Sequence, residues 1–185
     1  KILTKFDINI QMIVYNNFNE SKQVDKIVNL LKDGKNVALI SDAGTPCISD
    51  PGYRIVNLAK KNKIDVLTVP GACSVSASLS ISGLPTDNYF YQGFLPKKKG
   101  RQTKFKELSQ YNCSIVIFES PKRVIKTLND ILIYMGDRTV ALCRELTKVY
   151  ESVAVDKVSI HIKEADLIKL KGEYVIIIAK EGYEY

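Results

Sequence analysis

With 185 residues, 45% of them hydrophobic and 25% charged, the chain has the make-up of an ordinary globular protein and is long enough for one domain or two small ones. A formal net charge of +7 leans toward an anionic partner such as RNA, although plain solubility explains it as well. The apolar runs are too short to span a membrane and no signal-peptide pattern opens the chain; four scattered cysteines without a C-x-x-C pair, and a single histidine, argue for reduced, cytosolic thiols and against zinc.

The chain opens on Lys1-Ile2-Leu3-Thr4-Lys5-Phe6, with no methionine and in the middle of an amphipathic helical pattern, so residues are expected upstream. Ile10 to Tyr15 alternates weakly, as a strand does. Ser21 is placed to cap a helix whose Val24, Ile27, Val28 and Leu31 fall on one face, with Gly34 as its stop. Val37 to Ile40, apolar at every position, reads as a strand buried on both faces. It runs into Ser41-Asp42-Ala43-Gly44-Thr45-Pro46-Cys47-Ile48-Ser49-Asp50-Pro51-Gly52, the kind of strand-end loop at which open α/β folds bind ligands. The loop has no lysine and matches neither G-x-x-x-x-G-K-[ST] nor G-x-G-x-x-G, which removes both usual phosphate cradles.

Asp50 as N-cap and Pro51 at N1 predict a helix carrying Ile55, Val56, Leu58 and Ala59. Ile64 to Val69 is the next strand, turning through Pro70-Gly71-Ala72-Cys73-Ser74 into a helix of small residues, Val75 to Ile81, that ends at Gly83. Leu84 to Asn88 then breaks the alternation and predicts a boundary between domains 1–86 and 87–185.

The second half opens with an aromatic strand, Tyr89 to Phe94. Its Tyr89, Tyr91 and Phe94 suit base stacking, but aromatic residues in strands more often face a core. Lys97-Lys98-Lys99-Gly100-Arg101 is strongly positive, and a solvated turn is the plain explanation. Further on are a helix around Lys104 to Tyr111, a strand Ser114 to Glu119, and a helix after Ser120-Pro121 ending at Gly136. A strand Arg138 to Cys143, a helix Val155 to Lys163 and a strand Tyr174 to Ala179 complete the pattern. Strands alternating with helices through both halves predict an α/β fold with largely parallel pairing.

Polar groups end the apolar strands repeatedly: Asp42 to Thr45, Cys73 and Ser74, Glu119 and Ser120, Arg144 and Glu145, Gly172 and Glu173. Strand ends on one edge of a parallel sheet converge, so these groups are expected to line a cleft between two domains. Taken singly, each is better explained as a helix cap; the recurrence favours a site. His161 stands by itself, which rules out a Ser-His-Asp arrangement and leaves a packing or surface role.

SDAGTPCISDPGY, VPGACSVSASLSISGLPTDNYFYQGFLPKKKGR, FESPKR and RELTKVYE, in this order and spacing, closely resemble the ribosomal RNA small-subunit methyltransferase I family of the tetrapyrrole methylase superfamily. The resemblance implies S-adenosylmethionine-dependent 2′-O-methylation of a cytidine ribose in 16S rRNA. It also implies two α/β domains with the cofactor in the cleft between them, and a homodimer in the cytoplasm. The family begins with a strand, a P-T-P-I-G-N-L-type loop and an A-E-D-T-R-type segment ahead of the position of Lys1, so the start of the first domain is expected to be missing here, and a short C-terminal extension as well.

Carried over position by position, the resemblance places Asp42, Gly44, Thr45, Ile48, Cys73, Ser74, Phe118, Cys143 and Gly172 at the cofactor. Gly44-Thr45-Pro46 stands where tetrapyrrole enzymes have G-D-P. Among strand-end candidates for a base toward the 2′-hydroxyl, Glu119 and Glu145 are preferred over Glu173 and Lys148, although salt bridges with Arg123 or Arg144 would account for either carboxylate. Lys97, Lys98, Lys99, Arg101, Arg123 and Lys148 are the expected rRNA contacts. The rival readings are a tetrapyrrole methyltransferase and a non-catalytic RNA-binding module of the same fold. No metal is expected.

Overall fold

The structure, a computed structural model, describes residues 2–184 and divides into two compact units, Lys1–Gly71 and Ala72–Tyr185. In the first unit the regular elements among the described residues are α1 (Ile2–Lys5), α2 (Glu20–Lys32) and α3 (Tyr53–Lys61). Val24 and Ile27 of α2 meet Ile55 of α3, and Ile13, Tyr15, Leu31 and Leu58 close the cluster. Glu20 is buried but fully paired: Tyr15 donates its hydroxyl to Oε1 at 2.7 Å and Arg54 Nε lies 2.9 Å from Oε2, as a buried carboxylate requires.

Several local expectations shift here. Helix α2 starts ahead of Ser21, because Asn16 and Asn19 exchange backbone-to-side-chain bonds of 2.8 and 3.1 Å that turn the chain first. Helix α3 starts after Gly52 rather than at Asp50-Pro51. The expected strands Ile10 to Tyr15, Val37 to Ile40 and Ile64 to Val69 carry no sheet ladder among the described residues. Leu67 and Val69 are 89% and 88% exposed. An apolar run becomes a strand only when a neighbour takes its N–H and C=O groups.

The second unit is built on one sheet. Its strands are β1 (Tyr89–Phe94), β2 (Ser114–Glu119), β3 (Thr139–Arg144), β4 (Ser152–Lys157) and β5 (Tyr174–Ile178), in the order β1-β2-β5-β3-β4. Only β1 and β2 are parallel; the other three pairings are antiparallel, which corrects the expectation of largely parallel pairing. The connection 145–151 between β3 and β4 is too short for the crossover a parallel pair needs. The predicted helix from Val155 is corrected too: Val153 and Val155 pair with Cys143 and Ala141 in the ladder, and α7 (Val158–Lys163) begins only after Lys157.

Period-two alternation gives the sheet two buried faces. Ile115, Ile117, Val140, Leu142, Ile176 and Ile178 lie under Phe105 and Leu108 of α5 (Arg101–Leu108), Leu128 and Ile131 of α6 (Val124–Met135), and Val158 of α7. Val116, Ala141, Cys143, Val175 and Ile177 lie under Val75 and Leu79 of α4 (Ser74–Ile81). Helix α4, which precedes the boundary expected at 84–88, thus packs against β5 of the second unit, because Val75 and Leu79 stand one turn apart on its buried side. His161 is buried with Nε2 3.0 Å from the Val140 carbonyl, a packing histidine.

Candidate functional site

The Ser41–Gly52 loop of the first unit is conformationally strained. Gly44, Cys47, Ser49 and Gly52 all have positive φ, of 74°, 70°, 60° and 145°. For a cysteine and a serine this costs on the order of 1 kcal/mol or more each, and such strain gathers at ligand-binding segments. Only glycine fits at 52, where a Cβ would stand 2.5 Å from Cys47 Sγ and 2.7 Å from Leu39 Cδ2. The Ser41 hydroxyl reaches the Ala43 and Gly44 carbonyls at 3.1 and 3.0 Å, tightening the turn. Asp42, Gly44 and Ile48 are exposed and Thr45 is half-buried. Burial, and then Asp50, push the Cys47 thiol pKa up.

In the second unit the C-terminal ends of β1, β2 and β3 and the N-terminal end of β5 share one sheet edge. Phe94 pairs with Phe118, and Tyr174 lies between Glu119 and Arg144. The groups Glu119-Ser120, Arg144-Glu145 and Gly172-Glu173 are therefore neighbours, although most of the sheet is antiparallel.

Glu119 is buried and engaged at both oxygens. Oε1 accepts the Ser120 N–H and Arg123 Nη2, each at 2.7 Å; Oε2 accepts the Thr127 hydroxyl at 2.7 Å and lies 3.9 Å from Arg101 Nη1. Arg101 is buried as well. It donates Nε to Asp130 Oδ2 at 2.7 Å, Nη2 to Thr127 Oγ1 at 2.8 Å and Nη1 to the Pro96 carbonyl at 3.2 Å. A carboxylate buried in this way, with both oxygens engaged, is closed to a substrate hydroxyl, and a guanidinium so occupied does not face solvent. Both residues act instead as a clamp between the β2 end, α6 and the base of the lysine turn. Thr127 and Asp130 escaped the sequence reading, because Lys126 and Asn129 beside them make the pair look like part of a solvated polar face.

At the end of β3 the backbone bends sharply, with positive φ at Glu145 (48°) and Thr147 (65°). Glu145 Oε1 accepts Lys148 Nζ at 3.0 Å and the Glu173 N–H at 2.9 Å, while Lys148 also reaches Glu173 Oε2 at 2.8 Å. Glu145 Oε2 has no partner among the described residues. The Lys148 ammonium first, and the Glu173 N–H second, hold the Glu145 carboxyl below the usual glutamate range. Glu173, then Glu145, raise the Lys148 ammonium, so Lys148 is a cation and no base. Arg144 does not pair with Glu145; it donates to the Lys171 and Tyr150 carbonyls at 2.9 and 3.0 Å. Gly172, at φ 100°, leaves room for Glu145, whose Cγ would be 2.6 Å from a Cβ at that position.

Phe118 is half-buried between Tyr91 and Phe94, with edge-on ring contacts of 5.3 and 5.6 Å. Cys73 and Ser74 open α4, and Cys73 packs on the cluster that holds Cys143. Cys143 is fully buried, and burial followed by Glu151 pushes its thiol up to about 12. Since the thiolate is the reactive form, iodoacetamide at pH 8 is expected to leave Cys143 unmodified in the native chain and to label it only in denaturant, read by peptide mass mapping. Lys97, Lys98 and Lys99 are exposed and make no ion pair among the described residues.

No helix among the described residues is long and apolar enough to cross a membrane, and no cluster of three or more His, Cys, Asp or Glu side chains there is arranged to hold a metal ion. A family model of tetrapyrrole (corrin/porphyrin) methylases matches residues 8–160. Proteins named ribosomal RNA small subunit methyltransferase I are 39% identical in Thermotoga maritima, 38% in Halalkalibacterium halodurans and 38% in Vibrio cholerae, over 96%, 98% and 99% of this chain. The chain spans 80%, 63% and 64% of those proteins' own lengths. Among solved structures, uroporphyrin-III C-methyltransferase from Thermus thermophilus, complexed with S-adenyl homocysteine, superposes with a TM-score of 0.61 at 15% identity, covering 92% of this chain and 78% of that one. Diphthine synthase superposes with a TM-score of 0.62 at 14% identity over 86% and 67%.

Proposed function

Because the chain belongs to the tetrapyrrole methylase family, and within it to the ribosomal RNA small subunit methyltransferases I, we propose that it methylates a cytidine ribose 2′-hydroxyl of 16S rRNA, using S-adenosylmethionine. The observation that carries this reading is the exposed run Lys97–Lys99, unpaired at the sheet edge where Phe118, Glu145 and Gly172 also end. Cations without a protein partner beside such an edge suit a polyanion.

When bound, S-adenosylmethionine supplies a methyl group on a sulfonium cation. The proposed cofactor contacts are Asp42, Gly44, Thr45, Ile48, Cys73, Ser74, Phe118, Cys143 and Gly172. They fit such a group in that the Ser41–Gly52 loop offers carbonyls, hydroxyls and the carboxylates of Asp42 and Asp50 but no cation.

Of the two carboxylates expected to act as a base, Glu145 takes that role, because its Oε2 is open while Glu119 has no free oxygen. Lys148 and the Glu173 N–H fix the Glu145 side chain, so Oε2 can orient the 2′-hydroxyl and receive its proton. Lys97, Lys98, Lys99 and Lys148 meet the RNA backbone; Arg101 and Arg123 hold the scaffold beneath. On the same reading the protein works in the cytoplasm as a homodimer on the small ribosomal subunit.

Incubation with labelled S-adenosylmethionine and either small ribosomal subunits or porphyrin precursors tests the substrate. Label in rRNA is expected; label in the macrocycle alone overturns the reading. Replacing Lys97, Lys98 and Lys99 by glutamine is expected to flatten the salt dependence of RNA binding, by about one unit of slope for each phosphate no longer neutralised.

A further inference from the structure

We propose that Phe94 is a stacking platform for an unpaired base of the RNA, set beside the lysines that hold the strand's backbone; this deepens the RNA reading above and rests on it. Strand β1 begins with regular alternation. Phe90 faces the α5–α6 side, in contact with Tyr111, and Tyr91 faces the α4 side with Phe118. Continued alternation would return Phe94 to the α5–α6 core. Instead the register slips between Tyr91 and Gly93, with Gly93 at φ 69°, and a bulge of this kind re-aims the residue after it. Phe94 comes to lie against Phe118, on the Tyr91 side, at 5.6 Å and 73° between ring planes.

The result is an aromatic ring that is 54% exposed yet held on one side by a T-shaped contact with Phe118. An oriented, half-exposed ring loses little freedom on binding and keeps a face open for a π-system. Its surroundings are cationic. Lys97, Lys98 and Lys99 follow within the same turn, which Arg101 closes by binding the Pro96 carbonyl at 3.2 Å. Exposed Lys122 follows the end of β2, the strand paired with β1. The carboxylates beneath, Glu119 and Asp130, are already paired with Arg123 and Arg101. An exposed aromatic ring among free cations is the physical signature of single-strand recognition, in which rings take bases and cations take phosphates.

The chain has no tryptophan, so F94W supplies a single fluorescent reporter at the position in question. Titration with an oligocytidine RNA of about ten nucleotides is expected to quench that fluorescence, and an abasic strand of equal length is expected to bind without quenching. F94A and F94L are both expected to weaken oligocytidine binding about tenfold, with the salt slope unchanged because every phosphate keeps its lysine. F94L preserves the packing on Phe118, so recovery of wild-type affinity in F94L would reduce Phe94 to a packing residue and overturn the proposal. Tight oligocytidine binding by F94W without quenching, or wild-type affinity in F94A, would overturn it as well. Absence of RNA binding by the unaltered chain would instead remove the RNA reading itself, and this proposal with it.

Discussion

Arg101→Ala is expected to destabilise the second unit by about 3 to 5 kcal/mol, the usual cost of leaving a buried charge without its partner. The Arg101 and Glu119 side chains are 5% and 0% exposed, and Thr127 and Asp130 depend on the same guanidinium. Thermal melting followed by circular dichroism should show a midpoint roughly 10 °C lower or more. Glu119→Gln is expected to act in the same direction, though less strongly, because it keeps the shape of the side chain but takes the counter-charge from Arg123, while Arg101 keeps Asp130. Methyl transfer by Glu119→Gln, measured where the variant is still folded, should stay within a few-fold of wild type. Loss of transfer at an unchanged melting temperature would make Glu119 the base and refute its role as a clamp.

Gly172→Ala is the second large effect, and it acts through Glu145, the proposed base. At φ 100° an alanine is strained by about 1 to 2 kcal/mol, and its Cβ would sit 2.6 Å from Glu145 Cγ and 2.9 Å from Cδ. Glu145 must move, which breaks its bonds to the Glu173 N–H and Lys148. Methyl transfer is expected to fall at least about tenfold, equivalent to 1.4 kcal/mol in the barrier. In the Glu145→Ala background the clash disappears and only backbone strain remains, so the further loss of stability on adding Gly172→Ala should be smaller. Equal losses in both backgrounds would show that Glu145 and Gly172 are not coupled.

The pH dependence of the same contact follows from its two shifted groups. Glu145 is lowered, so its contribution to stability is full above the ordinary glutamate range and is lost as pH falls through its depressed value. Lys148 is raised, so its contribution is full below the ordinary lysine range and is lost as pH rises through its elevated value. The pair is therefore intact across neutral pH, where Gly172→Ala should have its greatest effect on melting temperature.

Much of this molecule is local and was legible as such. The positions of α2, α4, α6, β1, β2 and β5 follow from apolar periodicity and from glycine and proline punctuation, which depend only on near neighbours along the chain. Arg123 with Glu119 is likewise an i, i+4 pair. The Ser41–Gly52 loop announced itself by composition, and its lack of lysine already argued against a phosphate.

What the pattern of residues leaves open is whatever depends on partners far along the chain. Strand direction is one case: apolar β3 and β5 look alike whether they pair parallel or antiparallel, and the connections and twist of the whole sheet settle it. The role of a charged residue is the other. Arg101 sits in a lysine-rich turn and reads as one more exposed cation, yet its partners Thr127 and Asp130 are 26 and 29 positions away. Glu119 and Glu145 are both carboxylates at strand ends, and no local pattern separates them. The folded unit does: burial, the Ser120 N–H, the Thr127 hydroxyl and two guanidinium groups tie up the first, while the second keeps an Oε2 with no partner among the described residues, the ground on which it is proposed as the base.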